Sequence, residues 1–92
     1  MADPKRVLRS VCDDLRFDVL TYQQAAKVYE LAIKRGYEKK YGIFNLVAGS
    51  LYFYCKSNGK PVLLTNIINL MPETDQEKVT AVYNDLKKDR LG

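Results

Sequence analysis

The chain is 92 residues long, enough for one compact domain and too short for a second independent core. Apolar residues make up 47% and charged residues 28%, which is globular usage and excludes wholesale disorder. The 15 Lys and Arg against 11 Asp and Glu give a net charge of +4 that allows an acidic partner without demanding one, and the absence of His removes the usual neutral-pH acid/base catalyst together with Cys/His and Ser/His pairs.

The first element is a helix. Val7, Leu8, Val11, Cys12 and Leu15 recur at helical spacing, with Asp3 as the cap and Pro4 in the first turn. The stretch 17–20 breaks the period, and Thr21 with Gln24 reads as a T-x-x-Q capping box that opens a second helix. That helix lines up Tyr22, Ala25, Ala26, Tyr29, Ala32 and Ile33. Glu30 and Lys34 form an i,i+4 pair on another face, and Gly36 terminates the run.

A third segment, about 43–57, is apolar on nearly every side. Only Asn45 and Ser50 are polar up to Cys55, and Ala48-Gly49-Ser50 lets a neighbouring backbone approach closely. Such a segment is a central helix surrounded by others, and it is far too short to span a bilayer. Asn58-Gly59 ends it and Pro61 turns the chain. Leu64, Ile67, Ile68 and Met71 mark a short fourth helix stopped by Pro72. A fifth starts at Thr74 or Asp75, with Thr74-x-x-Glu77 as a second capping box, and buries Val79, Val82, Tyr83 and Leu86. The expected fold is all-α, five helices around one hydrophobic helix, as a single domain over 1–92.

Cys12 and Cys55 are the only cysteines, and no short-spaced set of four ligands supports a zinc site. One disulfide is an alternative; two buried free thiols in a reducing compartment fit the apolar pattern better. The N-terminal sequence leads straight into an amphipathic stretch with no secretory pattern, so the expectation is an intracellular, soluble protein.

Residues 46–68, LVAGSLYFYCKSNGKPVLLTNII, resemble a segment of transcription factor IIB repeats, roughly A-x-x-LY-x-x-CR-x-x-G-x-P-x-T-L-x-x-I. Without a gap, Leu51-Tyr52 falls on the LY pair, Cys55-Lys56 on the CR pair, and Gly59, Pro61, Leu64 and Ile67 on their counterparts. Ala25 to Tyr29 resembles the family's A-x-x-x-Y stretch, and Val82 to Leu86 with Leu91-Gly92 its closing helix. Departures from the pattern include Lys40-Tyr41 in place of Gly-Arg, Lys56 in place of the Arg of the CR pair, and Val62 in place of a basic residue.

The resemblance implies the cyclin-like fold and a non-catalytic role in transcription initiation, bridging TATA-binding protein, promoter DNA and RNA polymerase without cofactor, metal or membrane. It implies the nucleus in a eukaryote, and the cytoplasm in an archaeon or for a virus of a prokaryotic host. The candidate contact residues are Arg35, Lys39, Lys40, Tyr41, Lys56 and Lys60, basic groups with interleaved tyrosine that suit phosphate contact. Tyr37 and Tyr54 are further interface candidates, and Lys87, Lys88 and Arg90 form a last basic group. The competing reading of these cations is solvated helix ends favoured by the C-terminal dipole. A second functional reading is a cyclin-like domain that binds a kinase or regulator and no DNA. Catalysis is not expected: the glycines are isolated, and Asp13-Asp14 and Asp85 with Asp89 lie on predicted solvated faces.

Overall fold

The computed structural model describes residues 3–89. Six helices follow one another: α1 (Pro4–Asp14), α2 (Val19–Lys34), α3 (Tyr37–Tyr41), α4 (Ile43–Ser57), α5 (Leu64–Leu70) and α6 (Gln76–Asp89). The five expected helices are all present, and the sixth is the short α3. Gly36 and Gly42, at φ +79° and +88°, bracket it. Backbone of that kind suits glycine, so the chain winds a single extra turn between two kinks.

α4 is the axis of the domain. Leu46, Val47, Ala48, Leu51 and Cys55 are fully buried, and α1, α2, α3, α5 and α6 all pack on it. Gly49 sets the α4–α6 distance: a Cβ there would lie 2.4 Å from Val82 Cγ1 and 3.3 Å from the Val79 carbonyl. Asn45 is the polar fastener of the same helix. Its Nδ2 donates to the Tyr41 carbonyl at 2.6 Å, and its Oδ1 accepts from the Asp75 N–H at 2.9 Å. One buried amide thus ties the end of α3 to the start of α6. Ser50 Oγ, by contrast, is buried with no partner.

The helix ends show where local chemistry overrides the expected caps. Asp3 caps α1 as expected, accepting from the Lys5 N–H at 3.0 Å. The Thr21/Gln24 box is not formed. α2 begins three residues earlier, at Val19, with Asp18 as its cap. The Asp18 carboxylate accepts from Thr21 N at 2.9 Å and Thr21 Oγ1 at 2.6 Å, and Thr21 is buried. A charged carboxylate accepts these donors better than a hydroxyl, so Asp18 takes the cap and Thr21 becomes a donor. The Thr74/Glu77 box fails for the same reason: Thr74 Oγ1 donates back to Met71 O, and Asp75 accepts from the Glu77 N–H at 2.9 Å.

At the far end of α4, Gly59 takes φ +68° and the Lys60 N–H returns to the Cys55 carbonyl at 2.9 Å. This is a Schellman end, as expected of Asn58-Gly59. α1 closes in the same way, with Phe17 N–H on the Cys12 carbonyl at 2.9 Å, although the left-handed residue there is Arg16 at φ +62°. Glu30, expected to pair with Lys34, instead hydrogen-bonds Lys5 and so joins α2 to α1. Both cysteines are buried and unbridged. Among the described residues no helix is long and apolar enough to cross a membrane.

Candidate binding surface

The six candidate residues do not form one patch. Arg35, Lys39, Lys40 and Tyr41 gather at the corner where α2 ends and α3 leads into α4. Lys56 and Lys60 lie at the opposite end of α4, whose 15 residues span about 21 Å. The linear sequence shows two basic clusters, and their separation follows from the length of the buried helix between them.

The α3 corner is already engaged within the chain. Arg35 reaches Asp89 at 3.6 Å and Lys40 reaches Asp85 at 3.5 Å, both carboxylates coming from α6. Tyr37 donates its hydroxyl to Asp89 and Tyr41 donates to Asp85. The two rings meet edge to face at 6.1 Å, and Lys40 Nζ stands 5.1 Å over the Tyr41 ring. Tyr41 is only 9% exposed, and its ring braces α3 against α6 with the hydroxyl turned to Asp85. Asp85 and Asp89, expected on a solvated face, are half-buried acceptors of this corner. The hydrogen bond to Asp89 and burial push the Tyr37 hydroxyl up to about 12, which keeps it a donor at any physiological pH. Burial, with the Asp85 bond, raises Tyr41 likewise. Lys39 is exposed and has no carboxylate partner among the described residues.

At the α4 end the arrangement is open. Lys56 is exposed and Lys60 half-buried, and neither makes an ion pair within the described residues. Lys60 is close enough to Asp18 to help hold that carboxyl below its ordinary range, although the bonds from Thr21 are the main cause. Next to this end, α2 and α4 flank a groove of about 440 Å³. Val28, Leu31, Phe53 and Tyr54 give it an apolar lining, and Lys27 contributes a charge. Among the described residues Leu20 and Leu63 are the most exposed large apolar side chains, at 58% and 66%. Tyr54 is half-buried in the groove wall.

Of the remaining groups, Lys87 lies 5.4 Å over the Tyr83 ring. Lys88 is exposed, and Arg90 lies outside the described residues. Tyr29 is buried, and Tyr52 packs edge to face with Tyr83 at 4.9 Å, both half-buried. Cys12 and Cys55 have thiols pushed up by burial, to about 12 and about 11, the opposite of what a reactive thiolate needs. The described residues hold no cluster of three or more side chains suited to a metal ion.

Sequence reasoning put the two aspartates of α6 on a solvated face and missed their bonds to the α3 corner, together with the tie made by Asn45. Both had a signal: Asp85 and Asp89 are spaced i,i+4 on one helical face, and Asn45 is a lone amide in an apolar helix. Comparison with protein-family models, curated proteins and solved structures gives no significant match.

Proposed function

We propose that this chain is a non-catalytic binding module of transcription initiation, built as one cyclin-like repeat similar to those of transcription factor IIB. It bridges TATA-binding protein, promoter DNA and RNA polymerase. The observation that carries the reading is the C-K-x-x-G-x-P stretch, Cys55 to Pro61. Its cysteine is sealed in the core, its glycine has the left-handed turn, and Lys56 projects from the helix end. Cys55, Lys56 and Gly59 thus take three different physical places at the end of α4. With Arg35 and Lys40 paired internally, phosphate contact falls chiefly to Lys56 and Lys60, with Lys39 on a separate face. Contacts of that kind are made to the DNA backbone, so binding is salt-dependent and nearly indifferent to sequence.

The internal pairing of Arg35 and Lys40 also favours the second reading, a cyclin-like domain that engages a kinase or other regulator and no DNA. Fluorescence anisotropy of a labelled TATA-box duplex, with and without TATA-binding protein and at two salt concentrations, separates the two. Binding that requires TATA-binding protein and weakens with salt supports the bridge. No binding in either arm overturns it and leaves the protein-only reading.

A further inference from the structure

Asp85 and Asp89 stand one turn apart on α6, and what they accept from the α3 corner is a set of donors suited to phosphate. Two cations and two hydroxyls converge on two carboxylates: Arg35 and Tyr37 on Asp89, Lys40 and Tyr41 on Asp85. Guanidinium, ammonium and phenolic hydroxyls all bind phosphate oxygens in the same way. The arrangement is also easy to open from the cation side. The Arg35 and Lys40 side chains are 49% and 63% exposed, and their ion pairs are long and solvent-screened. α3 stays seated independently of those pairs, because Tyr41 is buried and the helix also packs on α2 and α4.

We propose that the end of α6 is an internal competitor, with Asp85 and Asp89 occupying an anion-binding corner made by Arg35, Lys40, Tyr37 and Tyr41. A polyanion gains that corner only when the two carboxylates are neutralised or displaced. The inference rests on the phosphate-binding reading above and adds its regulation: the exposed Lys56/Lys60 end binds constitutively, and the α3 corner is held in reserve. A partner that draws the end of α6 away would then raise affinity for nucleic acid.

The test compares two variants that remove the same charge. D85N/D89N uncovers the corner, whereas D13N/D14N removes two exposed carboxylates at the end of α1. Each is titrated against a short duplex DNA and, separately, against heparin over a range of salt. The expected result for D85N/D89N is about tenfold tighter binding at low salt, with a salt slope steeper by about two on a logarithmic scale, one unit for each added phosphate contact. D13N/D14N gains less than about twofold, as a distant charge change should. The charge-balanced variant R35Q/K40Q/D85N/D89N returns to the original affinity.

Equal gains for the two double variants overturn the proposal, and so does a gain that survives in the charge-balanced variant. Circular dichroism verifies that the helices are retained. If D85N/D89N loses helicity, D89N alone is read instead, since it keeps the Tyr41–Asp85 bond and still frees Arg35. A gain on heparin with none on DNA upholds the reserve corner and removes the DNA role. A complex with DNA and TATA-binding protein, with no gain on either polyanion for D85N/D89N, upholds the role and removes the reserve corner.

Discussion

Replacing Gly49 with alanine is the sharpest probe of the packing that sets the domain's shape. In an ordinary exposed helix the change stabilises by about 1 kcal/mol, because alanine loses less backbone entropy. Here the new methyl lies 2.4 Å from Val82 Cγ1, 2.7 Å from Val82 Cβ and 3.3 Å from the Val79 carbonyl. Two of these atoms cannot yield by a rotamer change. One is backbone, and the other is the Cβ of a β-branched residue that is stiff in a helix. α6 must therefore shift as a body, at the upper end of the roughly 1–3 kcal/mol that overpacking costs. After the propensity gain the net loss is about 2 kcal/mol, or a fall of about 8–16 °C in Tm for a domain of this size. Thermal unfolding followed by circular dichroism measures it. V82A in the same chain should recover part of the loss, giving a double-variant cost well below the sum of the two singles. A Tm that rises for G49A would refute the close approach of α4 and α6.

Ser50→Ala should stabilise by about 1 kcal/mol, because it deletes a buried hydroxyl that has no partner and keeps the Cβ; an unchanged or lower urea midpoint would contradict this. Asn45→Ala should cost about 2–3 kcal/mol by leaving the Tyr41 carbonyl and the Asp75 N–H without the amide, again read from urea unfolding. The thiols of Cys12 and Cys55 should resist an aromatic disulfide reagent in the folded chain and react fully in denaturant. Rapid labelling without denaturant would place them at the surface. Their raised values also set the alkaline behaviour. The folded state holds the thiol protons more tightly than the unfolded state, so this stabilisation is complete below the ordinary thiol value of 9.0. It is lost as pH rises towards about 11 and 12. The urea midpoint should therefore be lower near pH 10 than near pH 8.

Much of the fold was legible because burial on one side leaves a period, and burial on all sides leaves its absence. The stripe on α1 and the almost wholly apolar run of α4 located the core, and Gly49 announced the close neighbour. Helix starts were less legible. Several residues near Thr21 and Thr74 can cap, and only three-dimensional position decides whether aspartate or threonine accepts the orphan N–H groups. The candidate surface was legible in residue type and not in state. Arg35, Lys40, Tyr37 and Tyr41 read as exposed contact groups because the carboxylates that engage them lie about 50 residues downstream. A pairing between helices that far apart leaves no mark in local spacing. α3 escaped because a single turn between two glycines has no period to read.

The proposed initiation bridge takes its phosphate contacts from the Lys56/Lys60 end of α4. The direct measurement titrates wild type and K56Q/K60Q into a labelled TATA-box duplex carrying TATA-binding protein, at several salt concentrations. The variant should bind at least about tenfold more weakly at low salt, with a salt slope shallower by about two. Equal affinity and equal slope for the two proteins would contradict it.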